Sequence, residues 1–400
     1  MSDQPALAIP KGFRAAATRA GIKPSGGLDL AVLVADVPCS VAGTFTTNRI
    51  CAAPVKWDRA RVPSASARAV VVNAGNANAA TGSLGEANAR RTAMVAAEAI
   101  GCRPDDVLVA STGVIGRQLP MDRLETGLSV ALGELSSDPP SFHLASEAIL
   151  TTDSRPKLVS MRRDLDGTPV SILGMAKGAA MIGPKMATML AFLLTDAAVS
   201  PARLQGILSE AVDESFNCIS VEGHTSTNDT VLLLASGDAR SSELTGRALD
   251  GFAAMVQEAC VTLARMIPED GEGATHLITI DVEGCRDREQ ARTIARAVAD
   301  SPLVKTAIHG ADPNWGRIIS AAGYSGVDFE ESEVSLWLNG VPLYREGAPL
   351  GFDPNAVSAS LRANRETSVR LVFALGDASI RFWTSDLTAD YVRLNADYTT

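Results

Sequence analysis

Short runs of β-branched and other apolar residues, bounded by Gly, Asn, Asp and Pro, alternate along this chain with longer stretches whose apolar residues recur three and four positions apart. The first kind reads as strands and the second as helices. Ala69-Val-Val-Val72 is the clearest buried strand, and it runs into a loop of small residues, Asn73-Ala-Gly-Asn-Ala-Asn78. Leu84 to Ile100 is alanine-rich, lacks proline and is followed by Gly101, so the pattern predicts a helix closed by a glycine cap. Val107 to Ala110 reads as the next strand. It ends at Ser111-Thr-Gly113, where small side chains leave backbone N–H groups accessible.

Ser200-Pro201 predicts a helix start, with a capping hydroxyl followed by a proline whose missing N–H costs nothing at that position. Leu204, Ile207, Leu208, Ala211 and Val212 then form one apolar stripe, and a second such helix is expected over Leu249 to Met266. Late strands are expected over Leu277 to Val282 and Val334 to Leu338. An alternating pair, Val369-Leu371-Phe373 and Ile380-Phe382, flanks the turn Gly376-Asp377. Intermixed strands and helices give a mixed α/β (α+β) architecture. A chain of 400 residues with 46% hydrophobic content has enough core for two domains, although no repeat or linker marks a boundary.

Charge narrows the function classes. The net charge of −10 and a pI near 5.0 argue against a nucleic-acid or anionic-membrane surface, which would need clustered Lys and Arg, and favour small-molecule partners. The longest apolar run, Met186 to Leu194, is far short of the roughly 20 residues that span a bilayer. The N-terminus has no basic region followed by a long apolar stretch, so a cytoplasmic location is expected. Six scattered cysteines read as reduced structural thiols, and four scattered histidines give no metal site by spacing.

The segment from Lys177 to Asp196 carries the chemistry. Gly178 and Gly183 have the spacing of a phosphate loop, but Pro184 and Lys185 stand where its Lys and hydroxyl belong, and that reading fails. A buried element that tolerates one threonine is a second reading. The third is a self-cleavage junction at Ala187-Thr188. The Thr188 hydroxyl attacks the preceding carbonyl, the ester hydrolyses, and the freed α-amine, with a reference pKa of ~7.7 to 8.0, serves as base to its own hydroxyl.

The segment resembles the self-processing site of the ornithine acetyltransferase family (glutamate N-acetyltransferase), and the resemblance runs over nearly the whole chain. It includes Thr44-Phe-Thr-Thr-Asn48, Ala52-Ala-Pro54, Val72-Asn-Ala-Gly-Asn-Ala-Asn78 and Ser111-Thr-Gly-Val-Ile-Gly116. It continues through Thr151-Thr-Asp153, Ser226-Thr-Asn-Asp229, Asp270-Gly-Glu-Gly-Ala-Thr275, Gly310-Ala-Asp-Pro-Asn-Trp-Gly-Arg317 and Asn395-Ala-Asp-Tyr-Thr-Thr400. Ala179-Ala180, Lys185 and His224 depart from the family's pattern. The two alanines remove backbone freedom near the junction and so bear on processing.

The resemblance implies a layered, two-domain α and β fold cut into residues 1–187 and 188–400, with Thr188 as nucleophile. It implies an oxyanion hole from Thr112 and Gly113, and substrate contacts from Thr151, Lys177, Thr188, Glu272, Asn395 and Thr400. The residue types suit those roles. Lys177 can neutralise a carboxylate, Glu272 can pair with an ammonium, and Asn395 and Thr400 offer neutral hydrogen bonds. It implies ping-pong transfer of acetyl from N-acetylornithine to glutamate in arginine biosynthesis. The expected assembly has two α and two β chains, with no metal and no cofactor. Whether acetyl-CoA is a further co-substrate is left open by the sequence.

Three other readings remain. Ser154-Arg-Pro-Lys157, Ser226-Thr-Asn228 and Lys305-Thr-Ala307 mimic, in order, the short motifs of penicillin-recognising serine enzymes. A non-catalytic amino-acid-binding paralogue would keep the pocket and stay uncleaved. A self-cleaving aminopeptidase or amidohydrolase would pass the acyl group to water instead of glutamate.

Overall fold

The computed structural model describes residues 7–183, 189–239 and 242–397. The N-terminal half contains β1 (Phe13–Thr18), β2 (Leu30–Phe45), α1 (Ala53–Arg59), β3 (Ser64–Asn76), α2 (Gly82–Ile100), β4 (Val107–Val114), α3 (Met121–Gly133), α4 (Pro139–Ala148), β5 (Lys157–Leu165) and β6 (Thr168–Lys177). Beyond Thr188 come β7 (Leu190–Thr195), α5 (Pro201–Asp213), β8 (Ile219–Ser220), β9 (Thr230–Ala235), α6 (Gly246–Glu269), β10 (Leu277–Cys285), α7 (Arg288–Ala299), α8 (Pro302–His309) and α9 (Trp315–Gly323). The chain ends with β11 (Val334–Leu338), β12 (Val341–Arg345), β13 (Ala348–Pro349), α10 (Pro354–Ala363), β14 (Glu366–Phe373), β15 (Ala378–Ser385) and α11 (Ala389–Asp397).

The described strands form two mixed sheets, in the order β4-β3-β2-β9-β7-β6-β5 with β1 beside β2, and β13-β12-β11-β14-β10-β15-β8. Strand β7 shows why the first sheet holds. Its residues Leu-Ala-Phe-Leu-Leu-Thr are all buried, because both faces are covered by helices. Leu190, Phe192 and Leu194 pack with Phe142 and Ala145 of α4, while Ala191 and Leu193 join Leu204 of α5 and Phe252 and Leu263 of α6. That second cluster also takes in Ile280, Leu371 and Phe382 of the other sheet, so one apolar core runs from sheet to sheet. None of the described helices is long and apolar enough to cross a membrane.

The division at residues 187 and 188 separates β6 from β7, yet these strands are antiparallel neighbours with Lys177 opposite Leu190. A backbone cut there leaves two chains sharing one sheet. The helix ending at Gly101 is present, with Gly101 left-handed at φ 78° and its N–H on the Ala97 carbonyl.

Three expectations are corrected. Ser200 precedes α5 in extended conformation but makes no capping hydrogen bond with its side chain. Strand β4 does not end at Ala110: Ser111, Thr112 and Gly113 pair in register with Asn73, Ala74 and Gly75 of β3, and that ladder carries the strand onward. The alternating segments β14 and β15 do not pair with each other. Strand β10 lies between them, parallel to β14 and antiparallel to β15, and the connection crosses its end, where Leu375 and Gly376 donate to the Gly284 carbonyl at 2.9 Å.

That crossing needs a glycine. Gly284 has φ +75°, and a Cβ there would lie 2.0 Å from the Phe373 carbonyl oxygen, whereas Gly326 has φ +85° with nothing within 4 Å. Both replacements strain the backbone, but only one also collides. Gly284→Ala is therefore expected to lose about 1–3 kcal/mol more stability than Gly326→Ala in chemical denaturation. Equal losses would contradict this account of the crossing.

Candidate active site

The strand β3 continues to Asn76, through residues expected as a loop, and its end and the turn after it are held by their own asparagines. Asn73 Nδ2 donates to the Asn76 carbonyl at 2.8 Å, Asn76 Oδ1 accepts the Asn78 N–H at 2.8 Å, and Asn78 Nδ2 donates to the Gly85 carbonyl at 3.0 Å. Amide side chains here replace the partners that irregular backbone would otherwise lack. Ser111 Oγ donates to Asn73 Oδ1 at 2.6 Å and so fixes β4 to the same segment. Gly113 then turns to φ +127°, and a Cβ on it would stand 2.4 Å from the Gly75 carbonyl carbon. Only glycine permits that approach of two backbones.

On the other side, β6 delivers Lys177, whose side chain is 2% exposed. Its ammonium lies 3.9 Å from Asp153 Oδ2, while the neighbouring Lys157 Nζ sits 2.7 Å from Asp153 Oδ1 and 2.6 Å from Asp270 Oδ2. Gly178 N–H adds a bond to Asp153 Oδ1 at 2.6 Å. Burial works against the Asp153 carboxylate, but Lys177 and Lys157 overcome it and hold the group down at about 2. Burial pushes the Lys177 ammonium the other way, below its ordinary value, with Asp153 opposing. Lys157 is thus committed to its two aspartates, and Lys177 is the lysine among the described residues that lines the cavity.

Met189, the residue after Thr188, donates its N–H to Asp229 Oδ1 at 2.9 Å, and its carbonyl accepts from Thr230 at 3.2 Å. Asp229 is completely buried, and burial raises its pKa well above the carboxylate range despite the Met189 N–H. Asn228 beside it donates from Nδ2 to the carbonyls of Ala77 at 2.6 Å and Ser111 at 2.8 Å. The start of β7 is thereby joined to the strand that carries Thr112.

The chain's last helix closes the arrangement. Thr388 Oγ1 donates to the Gly273 carbonyl at 2.9 Å and accepts the Tyr391 N–H at 3.1 Å. Tyr391 and Asn395, four residues apart on one face of α11, both reach the cavity. Asn395 Nδ2 donates to Glu272 Oε2 at 2.8 Å, and the Glu272 N–H bonds the Ala179 carbonyl at 2.9 Å.

These elements enclose a cavity of about 240 Å³ whose lining includes Thr112, Gly113, Thr151, Lys177, Glu272 and Asn395. Every site residue expected from sequence that falls among the described residues is in that lining. Thr188, Thr400 and Lys185 lie outside the described residues. Sequence reading did not single out Thr152, Met181, Glu222 or Tyr391, which also line it, and noted Ala180 and His224 only as departures from a pattern. Glu222 was the readable omission, as an acid two residues from His224 in a Val-Glu-Gly-His turn.

The penicillin-type motifs do not converge. Ser154 Oγ and Lys157 both bond Asp270, Ser226 Oγ accepts from the Asn228 N–H, and Lys305 Nζ donates to the Val221 carbonyl and Thr384 Oγ1. No nucleophile and base are paired among them.

Comparison with known proteins agrees with the geometry. The arginine biosynthesis bifunctional protein ArgJ of Thermosynechococcus vestitus is 46% identical over 407 positions, covering 98% of this chain and 97% of its own. The protein of the same name from Dehalococcoides mccartyi is 46% identical over 400 positions, with the same coverage of each chain. A crystal structure of the ArgJ protein of Bacillus halodurans matches with a TM-score of 0.51 and 40% identity, over 52% of this chain and 98% of that one. The ArgJ family profile matches residues 14–400, and this chain belongs to the ArgJ family.

Proposed function

We propose that this protein is a glutamate N-acetyltransferase of arginine biosynthesis that cleaves itself between Ala187 and Thr188 and carries acetyl from N-acetylornithine to glutamate on the Thr188 hydroxyl. The observation that carries the reading is the cavity itself. Residues as far apart as Thr112, Lys177, Glu272 and Asn395 line one small space, at the end of the sheet where β7 begins. A solved relative chain matched over 98% of its length by 52% of this one is about half as long, as either product of the cut would be.

The chemistry follows from the residue types. The Thr188 α-amine takes the proton of its own hydroxyl as the oxygen attacks the acetyl carbonyl of acetylornithine. The oxyanion is met by the Thr112 hydroxyl and the Gly113 N–H, two donors near the end of β4 on the cavity wall. Ornithine leaves with the proton on its α-nitrogen, and the acetyl ester stays. The glutamate α-amine then attacks the same carbonyl through the same oxyanion site, and acetylglutamate leaves. Lys177 takes the α-carboxylate that both substrates share, while Thr151, Glu272, Asn395 and Thr400 supply further polar contacts. Water attack on the ester is the competing aminopeptidase-like outcome.

Three further assignments belong to this reading. The two products associate as two α and two β chains, in the cytoplasm. No metal or cofactor takes part. The word bifunctional in the relatives' names supports a second acetyl donor, and acetyl-CoA loading the same threonine is the donor proposed.

Intact-mass measurement of the purified protein is expected to find two chains, residues 1–187 and 188–400. Thr188→Ala should stay whole and lose acetyl transfer by at least about a thousandfold, whereas Thr188→Ser should cleave and keep partial activity. An uncleaved but active Thr188→Ala protein would rule the mechanism out. Lys177→Met should lower kcat/KM about tenfold to a hundredfold for acetylornithine and glutamate alike. A loss confined to one substrate would show that Lys177 does not hold the shared carboxylate.

A further inference from the structure

The proposed reaction sets the cavity a problem of charge. Acetylornithine and glutamate share an α-carboxylate and an α-nitrogen, but the far end of the side chain is an ammonium in one and a carboxylate in the other. One small cavity must accept both ends in turn. Lys177 is occupied by the shared α-carboxylate, and the other ionisable groups lining the described cavity are Glu222, Glu272, His224 and Tyr391. A permanently charged carboxylate at the far end would hold ornithine and repel glutamate.

The two glutamates differ in their commitments. Glu272 accepts a hydrogen bond from Asn395 on Oε2 at 2.8 Å. Both carboxyl oxygens of Glu222 are buried and form no hydrogen bond of good geometry among the described residues, and the Ile182 backbone offers them only a weak contact. The backbone under Glu222 is nevertheless firmly placed. The N–H groups of Val221, Glu222 and Gly223 all point to the Ile182 carbonyl, at 2.8, 3.2 and 3.1 Å, and Lys305 Nζ holds the Val221 carbonyl at 2.7 Å. A firmly placed backbone that holds a buried carboxyl at the cavity wall with only a weak partner is costly unless something else binds there.

We propose that Glu222 reads the side-chain end of both substrates, taking the δ-ammonium of acetylornithine as a carboxylate and the γ-carboxylate of glutamate as a carboxylic acid that donates its proton. The inference rests on the acetyl-transfer reading above and deepens it. Going from one bound substrate to the other moves one proton between Glu222 and solvent, and no covalent bond is involved. Burial pushes the Glu222 carboxyl up to about 8, opposed by the Ile182 backbone and Lys305 and helped by Glu272 and Asp300, so both forms are accessible near neutral pH. The groups facing it are Lys305 on α8, Asp300 after α7, Glu272 after α6 and Tyr391 on α11, with His224 on its own segment. Burial, together with Glu222 and Glu272, raises the Tyr391 hydroxyl to about 12, so that group stays neutral.

A ping-pong enzyme catalyses two partial exchanges, which read the two substrates separately. Labelled ornithine enters acetylornithine in one, and labelled glutamate enters acetylglutamate in the other. The ratio of the two rates cancels the threonine chemistry they share. In the cleaved wild-type protein the ornithine-to-glutamate ratio is expected to rise as pH passes through about 8, because the carboxylate form grows and the acid form shrinks. Glu222→Gln keeps a donor and loses the charge. It should lower ornithine exchange about tenfold to a hundredfold, leave glutamate exchange within about threefold, and give a ratio that no longer changes with pH.

A flat wild-type ratio, or equal effects of Glu222→Gln on both exchanges, would overturn the role given to Glu222 while leaving acetyl transfer intact. Selective loss of glutamate exchange in His224→Asn, with Glu222→Gln unaffected, would move the γ-carboxylate contact to the histidine and overturn it as well. A wild-type protein that catalyses neither exchange would remove the acetyl-transfer reading and this inference together. The wild-type ratio needs no variant, so the test survives a Glu222→Gln protein that does not fold.

Discussion

The bond from the Met189 N–H to the buried Asp229 carboxyl is the constraint on which the cavity depends. Strand β7 is inserted between β6 and β9, and its first residues set where the preceding threonine must attach. Burial drives the pKa of the Asp229 carboxyl upward, and the Met189 N–H bonds it in place. Asn228, one residue earlier, bonds the Ala77 and Ser111 carbonyls, so the beginning of β7 and the strand bearing Thr112 are held by adjacent side chains. In the proposed mechanism the nucleophile and the oxyanion donors come from different parts of the chain, and catalysis by preorganised donors requires their separation to be fixed before substrate arrives.

Electrostatics divides the lysines near the cavity in the same spirit. Lys157 is neutralised by Asp153 and Asp270, while Lys177 stands farther from Asp153 and faces the cavity. The first is committed to its ion-pair network, and in the proposed mechanism the second is left for a substrate carboxylate. Glu222 places the opposite charge type at the cavity wall, with only a weak backbone contact to its carboxyl. The sharing of the first sheet by segments on both sides of Thr188 adds a mechanical consequence: a cut at that point releases a new terminus without separating the strands.

What the sequence could reveal followed from local rules. The Gly101 cap, the proline start of α5 and the strands over Leu277 to Val282 and Val334 to Leu338 were readable because each is dictated by neighbours a few residues away. Thr112, Lys177, Glu272 and Asn395 were readable through extended motifs, and their meeting in one cavity is what the fold adds. The burial of Glu222 was not readable, since it depends on Lys305, Asp300 and Tyr391, which lie far along the chain. The order of β14, β10 and β15 was hidden for a related reason. A turn between two alternating segments looks like a hairpin unless a third strand, fixed by distant packing, comes between them. Ser154 and Lys157 show the opposite error, a motif assembled by chance whose members serve an ion-pair network.

In the proposed mechanism acetyl rests on Thr188 between the two substrates, a state that mass spectrometry of the separated chains detects. Incubation of the cleaved protein with acetylornithine alone should place one acetyl group on the 188–400 chain, at its first residue, and release ornithine in equal amount. Adding glutamate should then remove that group and yield acetylglutamate. Acetyl found on another residue, or transfer that occurs only when both substrates are present with no acetylated chain at any time, would contradict the account.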